Sequence, residues 1–256
     1  MPLPPLAEAG VRPCKICGTE AAVFGSVDFN RSCEEARGLH LPNAGVAVPY
    51  NRCPECGFLF TDAFAAWPVA AYEAHIYNAG YAQIDPDYRE ARPVANARLF
   101  LNLFGERRRY LSVLDYGGGN GLFARLLRAY GFLCAETYDP FSSEHDRMPR
   151  HQFDVVSCFE TMEHVPDPAA TVARIASRLS TPGIVLFSTL LQPPDFAAQG
   201  LGWWYAAPRN GHISLHSAQS LTRLWASVGF RCGSFSQGFH YACRDIPEFS
   251  RHLVRG

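Results

Sequence analysis

The chain has 256 residues, 48% of them hydrophobic and 18% charged, with a formal net charge of −1. That content allows one large domain with a small appendage, while near-neutral charge argues against a partner held by bulk electrostatics, nucleic acid above all. No apolar run approaches the ~20 residues needed to span a bilayer.

The N-terminal "MPLPPLAEAG" lacks a basic start and an apolar core of signal length, so a soluble cytoplasmic protein is expected. Of 23 basic residues only Lys15 is a lysine. Such a bias lowers the weight that any single arginine carries.

Two knuckles come first in chain order, "CKICG" (Cys14, Cys17) and "CPECG" (Cys53, Cys56), separated by 35 residues. A CxxC turn offers two thiolates to one ion, and zinc takes four soft ligands in a tetrahedron. Gly18 and Gly57 follow each pair, where a positive φ lets the turn close. Cys14, Cys17, Cys53 and Cys56 are therefore read as a structural zinc site in a small ribbon-like domain over 1–65. Four thiolates leave no open position for catalysis. Cys33 and His40 lie in the excursion between the knuckles and could replace one ligand, and buried or redox-active cysteines are the plainer alternative.

Residues 66–109 read as a helical linker and cap, with a helix over about 87–104. Arg107, Arg108 and Arg109 read as a solvated helix end. From Tyr110 strands and helices alternate: strand "YLSVLDY", helix "GLFARLLRAYG", strand "FLCAETYD", strand "FDVVSCFE", helix "DPAATVARIASRLS", strand "GIVLFSTL", and a helix around "SAQSLTRLWASVG". Two closing strands, "FRCGSFS" and "FHYACR", flank the Gln237-Gly238 turn. The order predicts an α/β fold with a doubly wound, mostly parallel sheet and an antiparallel edge over 110–256, carrying an insertion at about 191–216.

The loop after the first strand of this region reads Asp115-x-Gly117-x-Gly119-x-Gly121, with Asn120 as a polar contact or helix cap. In an open α/β sheet, ligands bind beyond the carboxyl ends of the strands at a switch point. The dinucleotide spacing can start at Gly119 if Ala124 stands for the third glycine. Asp115 at the strand end would, however, repel a pyrophosphate and suits a ligand carrying an amino group.

The loop resembles motif I of the class I S-adenosylmethionine-dependent methyltransferases. Asp139 in "AETYDPF", 22 residues after Gly117, lies where that family keeps an acid for the ribose hydroxyls, and "FETMEHVPDP" resembles the family's fourth-strand segment. The resemblance implies S-adenosylmethionine as cofactor, held by Asp115, Gly117, Gly119, Asn120, Gly121, Asp139, Pro140 and Glu160. It departs in one place. Only "PFSSEHDRMPRHQ" separates Asp139 from the fourth strand, so a third strand must be very short, and no adenine-reading residue stands out.

Methyl transfer is an in-line displacement that needs alignment above all, and a base only where the nucleophile must lose a proton. The candidates are His212, His164 and Tyr205, the last in an aromatic stretch "WWYAAPRNGHISLHS" that reads as an exposed cover for a flat or sugar-like ligand. Methyltransferases with a four-cysteine domain include the deoxysugar C-methyltransferases, whose comparable loop resembles Y-x-E-H-x-x-Y-F. Aligned on His212, this chain has Arg209 and Gly211 for the Tyr and Glu, and Leu215 and His216 for the Tyr-Phe pair. The expectation is methyl transfer to a small-molecule acceptor, such as a sugar, a nucleotide sugar or another secondary metabolite. The alternatives are an RNA methyltransferase gripping its substrate through the zinc domain, a cofactor-retaining but idle partner subunit, and a nicotinamide oxidoreductase.

Overall fold

Eleven strands and four α-helices of eight residues or more organise the computed structural model, which describes residues 3–254. In chain order the first four strands are β1 (Arg12–Pro13), β2 (Glu20–Asp28), β3 (Ala47–Arg52) and β4 (Leu59–Phe60). Then come helix α1 (Ala91–Phe104), β5 (Ser112–Tyr116), α2 (Leu122–Ala129), β6 (Cys134–Tyr138) and β7 (Phe153–Cys158). The chain continues through α3 (Pro168–Arg178), β8 (Leu179–Ser188), β9 (Ser214–Leu215), α4 (Ala218–Ala226), β10 (Arg231–Ser234) and β11 (Phe239–Cys243). Among the described residues no helix is long and apolar enough to cross a membrane.

These elements fall into two compact units. The first takes the chain up to Pro86, then Glu163–Pro168 and Leu190–Arg223; the second takes Asp87–Met162, Ala169–Thr189 and the chain from Leu224 on. This division differs from the 1–65, 66–109 and 110–256 read from the sequence. The insertion expected to cover the second unit belongs instead with the cysteine-bearing residues, because β9 completes their sheet.

The sheet of the first unit has the order β1-β2-β3-β4-β9 and is antiparallel throughout. Leu59 pairs with Leu215 and Phe60 with Ser214. All four of these residues are fully buried. No local pattern predicts a strand partner more than 150 residues away; burial of both short strands decides it.

The second unit holds a six-stranded sheet in the order β10-β11-β8-β7-β5-β6. Pairs β6–β5, β5–β7 and β7–β8 are parallel, and β11 runs antiparallel to β8 and to β10. The parallel sheet with its antiparallel edge is as expected. Val113, Leu114, Val155 and Val156 are fully buried, as strands covered on both faces require. In α1, Ala97, Phe100 and Phe104 sit three and four residues apart and share one buried face. Phe100 meets Phe123 and Phe159 edge-on at 5.0 and 5.7 Å, an arrangement worth about 0.5–1.5 kcal/mol per pair beyond area burial.

The chain leaves β5, returns as β6 on one side, and next enters the sheet as β7 on the other side of β5. That reversal makes the carboxyl ends of β5 and β7 the switch point of the sheet, the place where open α/β sheets bind ligands. Residues 139–152 form turns and no strand, so the very short third strand expected there is absent, and β6 is the edge of the sheet.

Candidate functional site

The glycine loop follows β5 at this switch point. Gly117, Gly119 and Gly121 have φ of 78°, 53° and 69°, left-handed values that an L side chain adopts only at a cost. Gly118 is needed for space instead: a Cβ there would overlap the Asp115 carboxylate, as one on Gly117 would overlap Thr161. Around Gly119 nothing lies within 4 Å of an added Cβ. The loop is thus walled at 117 and 118 and open at 119.

Two carboxylates border it. Asp139, just past β6, accepts the Gly119 N–H at 2.8 Å through Oδ2 and the Phe141 N–H at 2.8 Å through Oδ1. Each oxygen keeps a second lone-pair direction, so Asp139 can both set the loop and receive a hydroxyl. Asp115 is buried; its Oδ1 accepts the Ser157 hydroxyl at 3.0 Å, and Oδ2 has no hydrogen-bond partner among the described residues. Burial pushes its pKa up to about 7, against the Ser157 hydrogen bond and with help from the Asp139 charge. A buried acid with one unanswered oxygen favours a cationic donor.

Asn120, one residue before the Gly121 N-cap of the following helix, accepts the Leu122 N–H at 3.0 Å through Oδ1, while its Nδ2 donates to the Arg89 carbonyl at 3.1 Å. Pro140 is exposed. Glu160 holds a left-handed φ of 47°, unlike every other described non-glycine residue. Its N–H donates to Ser188 Oγ at 2.8 Å, and that hydroxyl donates back to Glu160 Oε1 at 2.7 Å. Such strain at a strand end persists only where the surroundings impose it. His145 escaped the sequence reading. Its ring lies over Gly121, and its Nε2 is buried with no hydrogen-bond partner among the described residues. The Asp139 N–H to His145 carbonyl bond of 2.9 Å closes the loop that carries it; no spacing rule points to such a position.

A second polar cluster lies in the first unit. Tyr205 donates its hydroxyl to Glu163 Oε1 at 2.6 Å, and both residues are buried. His212 Nδ1 is 2.9 Å from the Tyr205 carbonyl, and His164 Nδ1 is 3.1 Å from the Gly211 carbonyl. A carbonyl can only accept, so Nδ1 of His212 carries the proton and its neutral form has the lone pair on Nε2, whereas Nδ1 of His164 also lies 3.3 Å from the Tyr77 hydroxyl. The rings pack 4.9 Å apart, with ligand-type atoms of Glu163, His164 and His212 all within 4.8 Å of one another. His164, His212 and Tyr205 are thereby brought together, and Glu163 joins them.

The aromatic stretch is not the exposed cover expected from the sequence. Trp203 and Tyr205 are each 3% exposed, with only Trp204 open at 40%. Tyr205 packs on His212 at 4.2 Å and on Trp203 at 5.3 Å, so the rings support the histidine instead of facing solvent. Arg209 is buried too and donates to the Ile76 carbonyl at 2.8 Å.

The four knuckle cysteines converge. Sulfur separations are 3.6 Å for Cys14–Cys56, 3.4 Å for Cys17–Cys53 and 3.7 Å for Cys17–Cys56. A tetrahedron with Zn–S bonds of about 2.3 Å has sulfurs about 3.8 Å apart, so the donor set fits zinc. Gly18 and Gly57 have φ of 76° and 71°, as the knuckle reading requires. Neither Cys33 nor His40 is needed as a ligand. Cys33 Sγ lies 3.7 Å from His212 Nδ1 instead, and His40 is exposed.

A family model described as a methyltransferase domain matches residues 88–234, more than half of the chain. The chain belongs to the methyltransferase-domain family. Curated relatives match in shorter stretches. A ubiquinone biosynthesis O-methyltransferase of Citrobacter koseri is 49% identical over 111 residues, covering 34% of this chain and 44% of that protein. One from Acinetobacter baumannii is 32% identical over 135 residues, 42% of this chain and 57% of its own. A third, from Neisseria meningitidis, is 54% identical over 44 residues, 17% and 18% of the two chains. The match thus spans less than two thirds of each of these relatives. Among solved structures, an O-methyltransferase family protein from Burkholderia thailandensis superposes with TM-score 0.50 at 19% identity, covering 70% of this chain and 63% of that one. Human N-acetylserotonin methyltransferase, solved with SAM, gives 0.51 at 15% identity, covering 70% and 59%. The fold of this methyltransferase is that of class I.

Proposed function

We propose that this methyltransferase transfers the methyl group of S-adenosylmethionine to a hydroxyl of a small-molecule acceptor. The observation that carries the reading is the Asp139–Gly119 bond: a strand-end carboxylate anchors a bare glycine backbone at the switch point while keeping acceptor capacity of its own. Gly117, Gly119 and Gly121 would let the cofactor approach the backbone, Asp139 would receive its ribose hydroxyls, and Asp115 would balance its amino group through the buried Oδ2. Asn120 and Glu160 would hold the loop and the strand end in place, and Pro140 would fix the exit from Asp139. When bound, the cofactor supplies an electrophilic methyl carbon on a sulfonium.

His212 is proposed as the base. Its Nδ1–H is committed to the Tyr205 carbonyl, so Nε2 takes the acceptor proton, and the imidazolium that forms gains from the nearby Glu163 carboxylate. Tyr205 orients Glu163, and His164 sets the His212 ring by packing against it. The relatives named for ubiquinone biosynthesis are O-methyltransferases, which favours an oxygen nucleophile; sugars, nucleotide sugars and other secondary metabolites remain the proposed acceptor classes. The four-cysteine site is proposed to hold structural zinc.

The test is calorimetric titration with S-adenosylhomocysteine, followed by an acceptor screen on wild type and His212→Ala. The reading expects binding to both proteins and turnover at least about 100-fold lower in the variant. Failure of wild type to bind the ligand would end it.

A further inference from the structure

We infer that Cys134, Glu136 and His151 form a second metal site, for a divalent cation of the zinc class, on the edge strand of the methyltransferase sheet. Cys134 and Glu136 stand two apart on β6 and so share a face of the strand. Because residues 139–152 form no strand, β6 has no neighbour on that side. The chain returns past it just before β7, where the His151 ring packs on Phe153 at 4.4 Å. His151 Nε2 is 3.2 Å from Glu136 Oε1, and Cys134 Sγ is 3.7 Å from the same oxygen. One donor atom from each of the three residues lies within 4.8 Å of the other two.

Zinc bound at about 2.3 Å to sulfur and about 2.0–2.1 Å to nitrogen and oxygen holds tetrahedral ligand atoms about 3.3–3.6 Å apart. The two measured separations differ from that by only a few tenths of an ångström. The donor types narrow the ion: magnesium and calcium take oxygen ligands, whereas a thiolate with an imidazole selects a softer cation. A surface ion pair between Glu136 and His151 accounts for two of the groups at a worth of about 1 kcal/mol or less. The Cys134 thiol donates to the same carboxylate oxygen at 3.7 Å, so a bound cation would take the place of that thiol proton and join all three groups.

Glu136 and His151 are both partly open to solvent, so water can complete the fourth position. Glu136 also lines an open pocket of about 440 Å³ with Arg128, Thr137 and His145. The cation would act as a clip, tying the strandless segment that begins at Asp139 to the sheet edge. This inference stands apart from the methyl-transfer reading, since it needs neither cofactor nor acceptor.

Cobalt(II) titration of the full chain, with the four-cysteine site loaded with zinc beforehand, tests it. The expected result is one equivalent of cobalt with a thiolate-to-cobalt charge-transfer band. That band should vanish in Cys134→Ser, and affinity should fall at least about tenfold in His151→Ala. Circular dichroism of the two variants should match wild type, as Cys134 is only half-buried and His151 is exposed. No band in wild type, or a band unchanged in Cys134→Ser because cobalt has entered the other cysteines, overturns the proposal.

Discussion

The Tyr50 hydroxyl donates to the His212 carbonyl at 2.6 Å, with both residues buried. Tyr50 lies on β3, three residues before Cys53, so the cysteine-bearing sheet fixes the backbone of the candidate base. Burial pushes the Tyr50 phenol up, and it stays a donor across the neutral range. Tyr50→Phe should leave the carbonyl unanswered at a cost of about 1–3 kcal/mol. Thermal unfolding should show a drop of several degrees, accompanied by reduced turnover and unchanged affinity for S-adenosylhomocysteine. An unchanged melting temperature would mean that this bond does not hold His212.

Metal removal should act through the same route. The turn bearing Cys53, Cys56 and Gly57 feeds β4, which pairs with β9 just after His212. Gln192 reinforces it by donating to the Gly57 carbonyl at 2.7 Å, and Ser217 by donating to the Cys56 carbonyl at 2.5 Å. Chelation should therefore abolish turnover and lower the first melting transition. Cofactor affinity, carried by residues of the second unit, should change less than about threefold. Equal loss of both properties would show that the units do not respond separately.

The glycine loop predicts a contrast between neighbours. Gly118→Ala places a methyl group on the Asp115 carboxylate and should weaken S-adenosylhomocysteine binding at least about 100-fold, because the loop must move bodily. Gly119→Ala meets open space and pays only for its left-handed φ, about 1–2 kcal/mol, and should lose about tenfold. Calorimetry on the two proteins checks the order, and a larger loss in Gly119→Ala would contradict the assigned wall.

What could be read in the sequence was local. Knuckle spacing located all four sulfurs, and the alternation of apolar strands with amphipathic helices gave the parallel sheet, because both signals lie within short windows. The group Asp115, Gly117, Gly119 and Asp139 was readable for the same reason: two strand ends and one turn bring it together. The pairing of Leu59 with Leu215, the hydrogen bond from Tyr205 to Glu163 and the stacking of His145 over Gly121 were not readable. Each depends on segments remote in the chain or on a turn with no periodicity. The aromatic stretch misled for a related reason: rings near a histidine look alike in sequence whether they face solvent or, like Trp203 and Tyr205, support the histidine from beneath.

Asp115 should give the protein a distinctive response to pH. Its folded value of about 7 lies above the ~3.9 of an unfolded aspartate. Between those values the folded state holds a proton that the unfolded state has released, so stability falls as pH rises and the penalty is complete above about 7. The shift corresponds to roughly 4 kcal/mol at most. Asp115→Asn keeps the shape and cannot ionise, so the difference in denaturant midpoint between the variant and wild type should grow from pH 4 to pH 8. Ligand binding should run the other way. A cationic amino group at the unanswered Oδ2 favours the ionised acid, so affinity for S-adenosylhomocysteine should increase as pH rises through about 7, with release of a proton. In Asp115→Asn that dependence should disappear and affinity should stay at the weak, low-pH level. If wild type and variant keep a constant gap in stability and in affinity from pH 5 to pH 8, Asp115 is not the group that meets the cofactor.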